Sequence, residues 1–176
     1  MKPILLLAPI RGITDLTYRN LFSKHFGGFD YAIAPFFAIA HKTDINQKIL
    51  REFKPTQDIL LSVPQILSKD PEEFLTLAST LVELGYPEIN WNLGCPHPVV
   101  VTKNKGSGLL RYPEQIDAFL DKVFPLMKGK LSIKLRLGYE TTDDIFKLIP
   151  IFNRYPITEL IIHARTGKQM YNGSTD

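Results

Sequence analysis

The sequence Ile-Asn-Trp-Asn-Leu-Gly-Cys-Pro, residues 89–96, decides the predicted fold and holds the chain's only cysteine and only tryptophan. Apolar and polar residues alternate up to Leu93, a pattern typical of a β-strand. Gly94 then permits a sharp turn, and Pro96 fixes the direction in which the chain leaves it. Cys95 is therefore expected at the carboxyl end of a strand, where parallel α/β barrels place their chemistry. The alternative is a buried structural cysteine, because free cysteine is among the most buried residue types.

The composition is that of an ordinary soluble globular domain, since 44% of the 176 residues are hydrophobic and 22% are charged. A single cysteine excludes an internal disulfide and fits a reducing compartment. The apolar run at residues 4–7 is too short for a membrane span or a signal peptide, so we expect a cytoplasmic protein. The net charge of +3 is compatible with nucleic acid without requiring it.

The chain alternates short apolar runs with amphipathic segments. The runs predict strands at residues 4–9, 29–35, 58–65, 89–93, 131–137 and 159–163. The segments between them predict helices over 14–28, part of 41–53, 70–85, from 113 onward, and 141–152. Thr14 and Asp70 are the expected N-caps of the first and third of these helices. Six repeats of strand and helix predict a parallel α/β sheet with right-handed crossovers.

Polar residues collect where the predicted strands end. They are Arg11, which follows Pro9 after the first strand, Gln65, Asn92, Cys95, His163 and Arg165, together with Lys134 and Arg136 within the fifth strand. The carboxyl ends of parallel strands share one face, so these residues form a candidate site.

Two of the candidate side chains allow opposite interpretations. Lys134, in an apolar strand, is either a lysine on a solvated edge or a cation beside an electron-accepting ring. His163 is either a satisfied core histidine or a contact to a phosphate. Gln65 and Asn92 supply amide groups suited to the edge of a heterocycle.

Cys95 could act as a nucleophile, a metal ligand or a proton donor. A metal site is not expected, because there is no second cysteine and the four histidines lack ligand spacing. A nucleophile would need a base such as His97 or His163, whereas a thiol that gives a proton needs no such partner.

Taken together, the motifs resemble the N-terminal part of the tRNA-dihydrouridine synthases, and the resemblance covers residues 7–176. The matching segments are residues 8–10 (API), 12–15 (GITD), Gln65, 92–96 (NLGCP), 106–110 (GSGLL), 134–138 (KLRLG) and 163–166 (HART). Three positions depart from the family pattern. Ile10 replaces a common methionine, Asn90 a common aspartate, and residues 97–99 (HPV) a segment that often carries lysine.

The resemblance implies a flavoenzyme that reduces a uridine of tRNA, with FMN as cofactor and NADPH as the usual reductant. Cys95 would give a proton to C5 of the uracil ring while the flavin delivers a hydride to C6. The uridine must be extruded to reach the flavin. The residues implied to hold FMN are Ala8, Pro9, Ile10, Gln65, Lys134 and His163. Asn92, Arg136 and Arg165 are implied to face the tRNA.

The family's barrel is longer than this chain. A complete TIM (β/α)8 barrel takes about 250 residues, so we expect a barrel truncated to about six βα units, without its last two units and a C-terminal helical domain. Such a chain is expected to bind FMN weakly or not at all, to be inactive, and either to self-associate through open sheet edges or to have disordered edges. The alternative functions are reduction of free pyrimidines by another FMN barrel, and RNA binding without catalysis.

Overall fold

The computed structural model describes residues 3–38, 52–53 and 59–176, and within them it contains two parallel sheets. The predicted helical segment 41–53 lies outside these residues except for its last two. The three-stranded sheet has the order β1 (Leu6–Leu7), β2 (Tyr31–Ile33) and β3 (Ser62–Val63). The four-stranded sheet has the order β4 (Gln65–Ile66), β5 (Glu88–Leu93), β6 (Lys130–Gly138) and β7 (Leu160–Thr166). The predicted parallel α/β architecture is confirmed in this part of the chain.

The strand predicted at residues 58–65 is wrong in its bounds, because it is two short strands on either side of Pro64. The carbonyl of Val63 accepts from Ala34 N at 2.9 Å, next to β2, whereas the carbonyl of Pro64 accepts from Asn90 N at 2.8 Å, in β5. Pro64 has no N–H to donate, so regular pairing is interrupted there. One extended segment therefore borders β2 on one side and β5 on the other, and it joins the two sheets.

Five α-helices lie between the strands in the described residues. They are α1 (Leu16–His25), α2 (Pro71–Glu83), α3 (Pro98–Val101), α4 (Pro113–Val123) and α5 (Ile145–Phe152). The expected cap of α2 is confirmed, since Asp70 Oδ1 accepts from Glu73 N at 2.9 Å. The expected cap of α1 is wrong: Asp15 accepts from Tyr18 N at 2.8 Å, while the Thr14 hydroxyl bonds to Ile10. The last predicted helix begins as a 3₁₀ turn at Thr142–Asp144 before α5.

The core lies between the four-stranded sheet and α2, α4 and α5. Trp91 is fully buried and stacks on Phe119 of α4 with ring centroids 3.9 Å apart, while Phe74 of α2 meets Phe119 edge-on at 5.3 Å. The indole Nε1 donates to Ser68 O at 2.8 Å, so its one polar group is satisfied. Because side chains alternate along a strand, this packing turns Asn90 and Asn92 to the opposite face of β5.

Strand register aligns the polar residues on that opposite face. Gln65, Asn90 and Ser132 are direct neighbours across β4, β5 and β6, and one pair further along the strands Asn92 lies beside Lys134. Arg136 is paired with His163 across β6 and β7. No helix among the described residues is long and apolar enough to span a membrane.

Candidate active site

A cavity of ≈ 520 Å³ lies at the carboxyl ends of the strands. Its volume falls in the range of small-molecule and cofactor sites. The predicted site residues that line it are Ala8, Pro9, Ile10, Gln65, Asn92, Cys95, Lys134, Arg136 and His163. Arg165 does not line it. The lining also contains Arg11, Phe36, His97 and Tyr171, to which the sequence analysis gives no definite role. No aspartate or glutamate is among the described residues that line it.

A chain of side-chain hydrogen bonds crosses the floor of the cavity. Asn90 Nδ2 donates to Ser132 Oγ at 3.0 Å, and Asn90 Oδ1 accepts from Gln65 Nε2 at 2.7 Å. Gln65 Oε1 in turn accepts from Asn92 Nδ2 at 2.7 Å. Gln65 and Asn92 each keep one amide N–H that these bonds do not use. The chain therefore fixes the orientation of both amides and leaves each a donor for a ligand.

The turn that carries Cys95 is held from several directions. Asn92 Oδ1 accepts from Gly94 N at 3.0 Å and from Cys95 N at 2.9 Å. The Cys95 carbonyl accepts from the backbone N–H of Ser107 at 3.0 Å and from its hydroxyl at 3.1 Å. Gly106 has a φ of +56°, and a Cβ there would lie 2.7 Å from the Cys95 carbonyl oxygen. The sequence analysis gave Ser107 no role. The glycine-rich stretch at 106–110 is the feature of the sequence that could have pointed to it.

Burial raises the pKa of the Cys95 thiol above its ordinary value. The backbone N–H of His97 and the charges of Arg11 and Arg136 oppose this shift only in part. The thiol is therefore protonated at neutral pH, as a proton donor must be and an activated nucleophile is not. In the described ranges, no group of three or more His, Cys, Asp or Glu side chains is placed to hold a metal ion.

Lys134 is a half-buried cation that lines the cavity. Burial, together with the nearby charge of Arg136, lowers its pKa. Its ammonium group has no hydrogen bond or ion pair with any residue that the structure describes. An ammonium held in this way is costly unless an anion or an electron-rich acceptor faces it.

Arg136 is buried, and its guanidinium binds backbone carbonyls on both sides of the cavity. Nε donates to Gly94 O at 2.9 Å, and Nη1 donates to Thr166 O at 2.8 Å and to Met170 O. The guanidinium also lies 5.3 Å from the centre of the exposed Tyr171 ring. Arg136 thus ties the Cys95 turn to the segment that follows β7.

His163 is neutral at pH 7, because burial and the charges of Arg136, Lys134 and Arg165 lower its pKa. Arg165 Nη1 lies 3.0 Å from His163 Nε2. A guanidinium can only donate, so Nε2 accepts and the ring proton is assigned to Nδ1. Arg165 also donates to Gly173 O at 2.9 Å, which places it behind His163 rather than in the cavity lining.

Comparison with known proteins points to one family. The family model for dihydrouridine synthase (Dus) matches residues 6–176. The chain is 28% identical to tRNA-dihydrouridine synthase B of Pasteurella multocida, over 100% of the chain and 53% of that protein. It is 30% identical to the probable tRNA-dihydrouridine synthase 2 of Bacillus subtilis, over 96% of the chain and 52% of that protein. It is 27% identical to the tRNA-dihydrouridine(16) synthase of Pseudomonas putida, over 94% of the chain and 53% of that protein. The chain spans about half the length of these relatives.

Proposed function

The chain belongs to the dihydrouridine synthase family, and from this premise we propose that it carries the catalytic site of an enzyme that reduces uridine in tRNA to dihydrouridine. The observation that carries the proposal is the presence of two groups in one cavity: the protonated thiol of Cys95 and the cation of Lys134, which has no partner among the described residues. Reduction of a carbon–carbon double bond requires a proton donor of this kind beside a hydride source.

The residues present fit FMN as that source. The cavity has the size of a cofactor site. The described residues that line it include no carboxylate that would repel a phosphate, and none of them supplies a counter-charge to Lys134. Ala8, Pro9, Ile10, Gln65, Lys134 and His163 would hold the cofactor. Bound there, FMN would supply the hydride that C6 of the uracil ring accepts, after reduction by NADPH. Lys134 would stabilise negative charge on the reduced ring system.

Cys95 is proposed as the acid. As C6 accepts the hydride, the C5–C6 double bond opens, and C5 takes the proton from the thiol, which becomes a thiolate. The charges of Arg11 and Arg136 favour that thiolate. The bonds from Asn92 and Ser107 hold the turn, so the thiol keeps its position as the substrate enters. The product leaves after the thiolate regains a proton from solvent.

The proposed substrate contacts depend on which donor groups are not already bonded within the protein. Asn92 keeps one amide N–H and is proposed to donate it to the extruded uracil. Arg136 and Arg165 are bonded to backbone carbonyls, so their proposed part is to fix the walls around the base. A tRNA substrate and a free thiol place the proposed activity in the reducing cytoplasm.

The parallel sheets are proposed to be the first six strands of a TIM barrel, with β3 and β4 counted as one strand. Tyr31 in β2 donates to Glu159 Oε2, just before β7, at 2.7 Å. This bond joins strands that are far apart in the sheet order, so the strands curve around a common inner face. Two further βα units would close that curve.

The test is nucleoside mass spectrometry of an unmodified tRNA incubated with FMN, NADPH and the protein at its full natural length. We expect dihydrouridine with the wild type and a ~10²–10⁴-fold slower reaction with Cys95→Ala, which should still hold FMN. Wild-type rates in Cys95→Ala would refute the proton-donor role. Reduction of free uridine without reaction on tRNA would instead indicate a small-molecule reductase.

A further inference from the structure

Arg11 stands at the mouth of the cavity, in the turn that follows β1. Of the three cationic side chains that line the cavity in the described part of the chain, Arg136 is buried, Lys134 is half-buried and Arg11 is exposed. Gly12 beside it has a φ of +81°, and a Cβ there would meet nothing within 4 Å. Residues 11–13 are all exposed, so a large ligand can reach this turn.

The guanidinium of Arg11 has an aromatic partner. It lies over the Phe36 ring, 5.4 Å from its centre, and Phe36 also lines the cavity. A cation–π contact of this kind attracts the guanidinium to the ring and leaves its N–H groups available to an anion. Phe36 thus favours a position of the Arg11 charge at the mouth of the cavity.

No carboxylate uses those donors in the part of the chain that the structure describes. Arg11 forms no ion pair there, and the cavity lining contains no aspartate or glutamate. By contrast, Arg154, which also lies over an aromatic ring, is paired with Asp117. A planar, unpaired guanidinium matches the oxygens of a phosphate in a two-point contact.

Residues 97–99, which follow the Cys95 turn, include no lysine or arginine. His97 is followed by Pro98 and Val99, which open the short helix α3, and Val99 is 59% exposed. His97 lines the cavity there as an exposed side chain. The exposed cation available to a negatively charged ligand that approaches the thiol is therefore Arg11, in the turn after β1.

We propose that Arg11 and Phe36 form a phosphate-binding subsite at the mouth of the cavity, which holds a backbone phosphate of the RNA next to the extruded nucleotide. The identity of the ligand rests on the proposed function. The subsite adds the position at which the protein binds the RNA backbone. The phosphate of FMN has the same chemistry, so the experiment must separate the two.

The experiment measures tRNA binding by fluorescence anisotropy over a series of KCl concentrations, with the FMN-loaded protein at its full natural length. Arg11→Gln should weaken binding roughly three- to tenfold and lower the salt slope by about 0.7 to 0.9, the loss of one phosphate contact. Arg11→Lys should keep the slope and recover part of the affinity, because it retains the charge but not the planar fork. Arg154→Gln removes the same charge outside the cavity lining and should leave the slope unchanged.

A second titration follows FMN binding by flavin fluorescence in the same variants. The subsite predicts equal FMN affinity in wild type and Arg11→Gln. Weaker FMN binding with unchanged tRNA binding would assign the contact to the cofactor and overturn the proposal, as would an unchanged salt slope or no binding of tRNA by the wild type. Absence of dihydrouridine together with the expected slope change would refute the proposed reaction and leave the RNA contact standing.

Discussion

At the scale of single residues, Cys95 shows how surroundings select one chemistry for a thiol. A helix N-terminus or an adjacent histidine base would lower its pKa and produce a nucleophile. Here burial raises the pKa, and the nearby arginines only reduce the shift. The same arginines are available to stabilise the thiolate after the proton has left. The thiol is thus protonated before the proposed reaction, and the nearby arginines stabilise the thiolate that the reaction would leave.

Because Cys95 is the only cysteine in the sequence, its titration can be measured directly. A raised pKa keeps the thiol protonated to higher pH, and only the thiolate is alkylated. We expect the rate of iodoacetamide alkylation to stay low near pH 7 and to have its midpoint above the thiol's ordinary value of 9.0. Rates followed by intact mass against pH would check this. A rate that reaches its plateau below pH 8 would show an activated thiolate and contradict the assignment.

Lys134 provides the second test at this scale. Its half-buried charge has no partner among the described residues, so it costs stability without a ligand and contributes affinity when an anion is bound. In the protein at its full natural length, Lys134→Met should therefore leave the FMN-free form as stable as the wild type or more so, and weaken FMN binding roughly tenfold or more. Urea unfolding and flavin fluorescence measure the two effects. Lys128→Met, at an exposed lysine outside the cavity lining, is the matched control and should change neither.

At the scale of elements, local sequence signals predicted those features that depend on neighbouring residues. The cap at Asp70 and the alternation around Trp91 are such features, and the alternation correctly puts Asn90 and Asn92 on the cavity face. The cap of α1 was missed because Thr14 and Asp15 compete for one position, and Thr14 bonds backward to Ile10 instead. The division of one predicted strand into β3 and β4 at Pro64 arises because the segment pairs with β2 on one side and with β5 on the other. The order of apolar and polar residues in the sequence does not show which strands will be neighbours.

In the site, too, features set by neighbouring residues in the sequence were predicted, and contacts between separate loops were not. Strand ends identified most of the polar residues that line the cavity, because parallel topology gathers them on one face. Ser107 and Phe36 were not assigned roles, since each acts through a contact with a residue from another loop. Arg136 was expected to face the substrate, and its bonds to Gly94 and Thr166 could be known only once the loops were placed.

The support beneath the Cys95 turn yields a prediction for the element that supplies it, the 3₁₀ segment Gly106–Arg111. Gly106→Ala adds a Cβ 2.7 Å from the Cys95 carbonyl oxygen at a position with positive φ. Gly12→Ala imposes only the backbone cost, about 1 kcal/mol, because a Cβ there meets no atom within 4 Å. Urea unfolding should show a larger loss of stability for Gly106→Ala, and the alkylation rate of Cys95 should change in that variant alone. Equal losses of stability in the two variants would mean that Gly106 does not support the turn.

At the scale of the whole molecule, the described sheets end in two open edges, β1 and β7. Next to the first lie Ile4 and Leu5, which are 73% and 51% exposed, and in the second Ile162 is 43% exposed. Unpaired backbone groups beside exposed apolar side chains form a template for strand pairing. In a complete barrel, two further βα units would cover both edges and supply the loops that usually hold a cofactor phosphate.

The 176-residue chain taken alone is therefore predicted to self-associate and to bind FMN weakly or not at all, without reductase activity. The physical reason is the same for each property, since the segments that would close the barrel also complete the cofactor site. Sedimentation velocity over a range of protein concentrations should show species larger than the 20.0 kDa monomer, and the fraction should grow with concentration. A flavin fluorescence titration of the same sample should show weak binding or none. A monomer at all concentrations that binds FMN tightly at 1:1 would show that six strands suffice for the site and that the open edges are protected in another way.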